Sequence, residues 1–211
     1  MQNKIKIFDI CGTLYHSNTT VDFCVWMEPN AAKKILLKVS TSLIGRAFNK
    51  LTGKLFRYDF IRDLHIRTLK NKDLEFIENK ANSFVELVLE EKKIKQIHKI
   101  MKEHNTDDII LASASIEPVV KAIAKKLNIK NYHASSLLHN GVVYNGKLGN
   151  DLSGKKHHLF SNQDIDLVVT DNLDDYKLCL LSNKFVIVSK TKHLKIWKSR
   201  DLSKMIQLVE V

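Results

Sequence analysis

Short apolar runs rich in β-branched residues alternate with amphipathic helical stretches along this chain, and no other feature constrains its fold as tightly. The run at 4–9 is the first strand, with Lys4 and Lys6 alternating against Ile5 and Ile7 so that its start has one wet face. DIILASAS (108–115), IDLVVTD (165–171) and KFVIVSK (184–190) are further strands, and YHASSLLHNGVVYNGKLG (132–149) reads as short strands around an Asn140-Gly141 hairpin turn. IEPVVKAIAKKLNI, KKHHLFSN and DDYKLCLLSN carry helical patterns between them, with Pro118 suited to a first turn. The tail from His193 is expected to be partly helical. Such alternation specifies an α/β fold: a Rossmann-like parallel sheet with helices on both faces.

The alternation breaks once. From about residue 20 to 105 five successive stretches have apolar residues at three-to-four spacing, with no strand among them. This predicts an all-helical subdomain inserted after the first strand, at 16–85, over a core made of 1–15 and 86–211. In open α/β sheets ligands bind beyond the carboxyl ends of the strands. Three predicted strands end there on polar groups, Asp9, Ser113 and Asp171. A buried strand gains no stability from ending on a carboxylate, so their convergence marks the candidate site.

Four segments occur in order: Asp9-x-Cys11-Gly12-Thr13-Leu14, Ser113-Ala114 in LASAS, Lys155-Lys156 in SGKKHHL, and Asp171-Asn172-x-x-Asp175 in VVTDNLDD. Together they resemble the four motifs of the haloacid dehalogenase (HAD) superfamily, in its phosphoserine-phosphatase-like branch, over roughly two thirds of the chain. The resemblance implies a Mg2+-dependent phosphatase working through an aspartyl-phosphate. Asp9 would be the nucleophile. Asp9, Asp171 and the backbone carbonyl of Cys11 would hold the metal, with Asp175 completing or orienting its shell. Ser113, with Gly12, Thr13, Ala114 and Asn172 around it, would contact the phosphate. The motif-three lysine is Lys155 or Lys156, and the Gly-x-Lys spacing favours Lys156. Independently of the resemblance, a phosphoryl group attacked by a carboxylate needs its charge neutralised, and Mg2+ suits carboxylate and carbonyl oxygens.

Cys11 departs from the pattern, because phosphatases of this family usually place a second aspartate there as general acid and base. Metal ligation through the backbone survives the change. Proton transfer is what it puts in question, since a thiol is a poor base at neutral pH. The helical insertion corresponds to a C1-type cap, where Arg62 and Arg67 would face the non-phosphate end of the substrate. Asn18, Thr19 and Thr20 flank its entrance or cap the next helix.

The formal net charge of +11 favours anionic partners. Residues 31–57 contain Lys33, Lys34, Lys38, Arg46, Lys50, Lys54 and Arg57 and no acidic residue. A basic run on a helix is ordinarily a solvated face; an electrostatic funnel for an anionic substrate is the first functional reading, and peripheral membrane contact the less favoured one. No aromatic-interleaved basic motif supports nucleic-acid binding. No apolar run reaches a membrane span, the start lacks a signal-peptide pattern, and Cys11, Cys24 and Cys179 have neither metal nor disulfide spacing. The expectation is a cytoplasmic enzyme acting on a small phosphorylated metabolite. The cysteine-bearing motif followed by SNTT is similar to proteins of bacterial surface-polysaccharide gene sets, which implies a phosphorylated sugar, amino-alcohol or nucleotide-linked precursor. The rival expectation is a catalytically impaired domain that binds an anionic ligand.

Overall fold

A computed structural model describes residues 4–43, 45, 47, 49, 51, 59–190 and 193–211. Arg46, Lys50, Lys54 and Arg57 lie outside the described residues. The chain forms a six-stranded parallel sheet in the order β3-β2-β1-β6-β7-β8. Its strands are β1 (Ile5–Phe8), β2 (Ile109–Ile116), β3 (Asn131–Ser135), β6 (Ile165–Thr170), β7 (Ser182–Ser189) and β8 (Met205–Glu210). β1 is central, with Ile7 in register with Ile110 on one side and Val168 on the other. A separate antiparallel hairpin joins β4 (Leu137–His139) and β5 (Tyr144–Leu148). Its turn is built at Asn140-Gly141: Asn140 Oδ1 accepts from the Val142 and Val143 N–H groups, and Gly141 takes a φ of +95° that a side chain would resist.

Successive strand residues face opposite sides, and this splits the core in two. Phe8, Leu111 and Val169 point to one face; Ile7, Ala112 and Val168 point to the other. The second face is covered by α7 (Lys156–Leu159), α8 (Tyr176–Leu181) and α9 (Leu194–Lys198), through Leu178 and Trp197. On the first face lie α6 (Glu117–Lys126) and part of the helical insertion.

That insertion follows β1 as α1 (Thr19–Met27), α2 (Ala31–Ser40), α3 (Phe60–Arg67) and α4 (Leu74–Phe84); α5 (Lys95–Lys102) precedes β2. Each of the first four starts on an Asn or Asp whose side chain caps a backbone N–H: Asn18, Asn30, Asp59 and Asp73. Such caps are each worth about 1 kcal/mol. Phe23, Ile66, Ile77 and Phe84 from these helices share one buried cluster with Leu111 and Val119, so the insertion is packed onto the sheet layer through apolar contact.

Two strand assignments needed correction. YHAS belongs to β3 of the main sheet, and the hairpin begins only at Leu137. The tail is partly helical as expected, at α9, and adds an edge strand, β8, that was not expected; Val209 alone of its residues is buried, so its pattern is faint. Among the described residues no helix is long and apolar enough to cross a membrane.

Candidate active site

Asp9 leaves the end of β1 with its N–H on the Val169 carbonyl at 2.9 Å, which locks it beside the end of β6. Asp171 follows β6 and Ser113 lies near the end of β2, so three adjacent strands deliver their polar residues to one edge. The backbone then turns tightly at Ile10, whose carbonyl accepts from Leu14 N–H at 2.9 Å. Gly12 sits in this turn at φ +70°, and a Cβ there would lie 2.2 Å from Asp171 Oδ2, so only glycine permits the two segments to meet. Thr13, fully buried, fixes Asp171 twice: its hydroxyl donates to Oδ1 at 3.1 Å and accepts the Asp171 N–H at 2.9 Å.

Lys156 closes the cluster. Its ammonium, 3% exposed, donates to Asp9 Oδ1 and to Asp175 Oδ2, both at 2.7 Å. Thr170 donates to the same Asp175 oxygen at 2.8 Å. Asp175 therefore meets the site through Lys156. Lys155, one residue earlier, precedes α7 and is exposed. Burial opposes charge on Lys156, but Asp9 and Asp175 outweigh it and hold its pKa above the ordinary value. Burial also raises the pKa of Asp9, against the pull of Lys156. Asp171 is pushed up to about 7 by burial and then by the Asp9 charge.

A cavity of about 500 Å3 opens over this edge, lined by Asp9, Cys11, Ser113, Lys156, Asp171 and Asn172 among others. A second, about 710 Å3, shares Cys11, Asn18, Asp59, Arg62, Asp171 and His193 with it and extends toward Thr41. Asn172 accepts from the Asp174 N–H at 3.0 Å, shaping the turn after β6. Ser113 Oγ accepts from the Ser115 N–H at 3.2 Å.

Cys11 is held by hydroxyls. Its sulfur lies 3.0 Å from Ser115 Oγ and 3.3 Å from Thr19 Oγ1, and it accepts the Thr19 N–H at 3.3 Å. Those two hydroxyls are 2.6 Å apart. Burial and then the Asp9 charge raise the thiol pKa, against the hydrogen bonds from Ser115 and Thr19, so it stays protonated at neutral pH.

Arg62 reaches from α3 across to the core. Its guanidinium donates to Asp151 Oδ1 at 2.6 Å, to Ser135 Oγ at 2.9 Å and to the Ala114 carbonyl. Arg67 pairs with Asp63 at 2.7 Å on the outer surface, and the structure does not bring it to the cavity. Sequence reading gave no role to Ser115, Ser135, Asp151 or His193, and did not pair Thr19 with Cys11. The strand period carried a signal for Ser115, which shares a strand face with Ser113.

The oxygen-rich set suits a hard divalent cation. Asp9 and Asp171 bring two carboxylates to one cavity, and burial first and the Asp9 charge second raise the Asp171 pKa. Among the described residues no three His, Cys, Asp or Glu side chains are grouped to hold a metal, so a cation there would draw its further ligands from backbone, water or substrate oxygens.

No protein-family model and no curated protein matches this chain. Solved structures do. A Bordetella pertussis Tohama I protein of unknown function aligns with TM-score 0.73 and 14% identity, over 100% of this chain and 99% of its own. A phosphoserine phosphatase solved as a phospho-aspartyl intermediate analogue aligns at 0.57 and 15%, over 100% and 95%. A HAD family hydrolase from Salmonella enterica serovar Typhi aligns at 0.62 and 14%, over 97% and 67%. At these identities the likeness is one of architecture. The chain shares the architecture of these phosphoserine phosphatase and HAD hydrolase structures, a parallel α/β core with a helical insertion after the first strand.

Proposed function

We propose that the protein is a phosphomonoester hydrolase that transfers a phosphoryl group to Asp9 and then to water. The observation that carries this reading is the buried Asp9–Lys156–Asp175 ion-pair network facing Asp171 and Ser113 in one cavity. Lys156 engages Asp9 Oδ1, which leaves the other carboxylate oxygen to form the bond to phosphorus while the bond to the leaving oxygen breaks. Ser113 and the ammonium of Lys156 offset phosphate charge. Asp175 positions Lys156. We assign residues 16–85 as the cap and 1–15 with 86–211 as the core.

Asp9, Asp171 and the Cys11 carbonyl would hold Mg2+. Bound there, it would neutralise phosphate oxygens and the excess carboxylate charge. Cys11, protonated and set among the hydroxyls of Ser115 and Thr19, would give its proton to the leaving oxygen, slowly because burial and the Asp9 charge make it a weak acid, and the thiolate so formed would take a proton back from the water that attacks the aspartyl-phosphate. The favoured substrates are small phosphorylated metabolites, with a surface-polysaccharide precursor as the narrower candidate.

Cys11 supports a second reading, an impaired domain that binds an anionic ligand without turning it over. A screen for phosphate release from phosphorylated metabolites with Mg2+ decides between them in wild type and Asp9→Asn. Release abolished by Asp9→Asn supports hydrolysis; release undiminished in that variant removes Asp9 as nucleophile, and no release from wild type favours binding alone.

A further inference from the structure

α2 has its apolar side facing outward. Ile35, Leu36 and Val39 are 62%, 60% and 58% exposed, and Leu43, three residues past the helix end, is 85% exposed. Leu37, on the opposite side of α2, is the residue that anchors it to the protein, at 3%. At about 100° per residue, positions 35, 36 and 39 fall on a single stripe about 100° wide, Lys33 and Lys38 flank it on either side, and Leu43 lies beyond the turn that ends α2. Exposed hydrophobics scattered singly are ordinary, but a contiguous stripe pointing away from the core is not.

We propose that α2 and Leu43 form an interfacial face that docks the protein on an anionic lipid bilayer. The charges choose this occupant. Lys33 and Lys38 are exposed beside the stripe, and α2 holds three lysines and no acidic side chain. Pairing two copies of this face would set lysines against lysines with no acidic partner. An anionic surface satisfies both parts: the stripe enters the headgroup–acyl boundary while the lysine stems keep their ammonium groups at the lipid phosphates. Thr41, just beyond α2, lines the larger cavity, so the docked face borders the route to the Asp9 cluster. The docking does not depend on which reaction that cluster performs.

Co-sedimentation with vesicles tests it, using phosphatidylcholine alone and an equal mixture of phosphatidylcholine and phosphatidylglycerol. The protein is expected to bind the mixed vesicles and not the neutral ones. Leu36→Asp/Val39→Asp, which touches no buried residue, should weaken that binding at least about tenfold with the circular dichroism unchanged. Lys33→Glu/Lys38→Glu should do the same, since each charge near the surface contributes about fivefold. Failure to bind mixed vesicles overturns the proposal. So does full binding by the Leu36/Val39 variant, which would mean attraction by charge alone. A dimer in sedimentation velocity that this variant dissociates, without vesicle binding, would assign the face to self-association.

Discussion

Replacing Lys156 by Met keeps most of the side-chain volume and removes the one ammonium that Asp9 and Asp175 share. All three groups are buried, at 3%, 5% and 2% exposure, so water cannot substitute for the lost charge. Removing one partner of a buried pair costs about 3–5 kcal/mol. For a domain of this size that corresponds to a melting temperature lower by about 6–20 °C, at about 2–4 °C per kcal/mol. The loss has a definite pH dependence. Without the ammonium Asp9 loses the charge that opposes its burial and titrates higher in the folded protein than in the unfolded chain, so its protonation rescues stability at low pH and the rescue is lost as pH rises. The deficit of the variant should therefore be larger at about pH 8 than at about pH 5. Calorimetry of wild type, Lys156→Met, Asp175→Asn and the double variant, in chelator, measures it. The double variant should lose at least about 1 kcal/mol less than the sum of the singles. Equal melting of Lys156→Met and wild type, or a deficit indifferent to pH, would refute the reasoning.

Three further outcomes are expected. Cys11→Asp places a carboxylate among the Thr19 N–H and the hydroxyls of Thr19 and Ser115, and should speed alkyl phosphate hydrolysis about 10²–10⁴-fold while leaving p-nitrophenyl phosphate, a good leaving group, far less affected. Iodoacetamide should modify Cys11 more slowly than free cysteine at neutral pH, as followed by peptide mass spectrometry, because burial and Asp9 keep the thiol protonated. Metal-free protein should lose stability as pH rises through about 7, where Asp171 gives up the proton it holds in the folded state; Mg2+ should raise the melting temperature more above that pH than below it.

Asp9, Ser113 and Asp171 were legible because a strand end is a one-dimensional signal: a short apolar run and the polar residue that stops it. The choice between Lys155 and Lys156 rested on the Gly-x-Lys spacing alone, which favoured Lys156, because the four-residue helix that Lys156 opens is too short to show a period. Ser115 lies 104 residues from Cys11, and Asp151 lies 89 from Arg62; the pairing of β1 with β2 brings the first two together, and the packing of α3 against the core the second two. The distinction between Asp171 and Asp175 was hidden for the same reason. One carboxylate is held by Thr13 and the other by Lys156 and Thr170, although a single turn of chain separates them. β8 escaped because an edge strand with one fully buried residue carries almost no hydrophobic alternation. The outward stripe of α2 was legible as apolar periodicity, but its direction was not: the same spacing packs inward in α4 through Ile77, Ala81 and Phe84.

Detection of the covalent intermediate tests phosphoryl transfer to Asp9 most directly. Acid quench during turnover of p-nitrophenyl phosphate with Mg2+, followed by peptide mass spectrometry, is expected to find a phosphoryl group on the peptide carrying Asp9 in wild type and none in Asp9→Asn. Turnover that leaves no phosphoryl group on Asp9, or places it on another residue, would contradict the assignment.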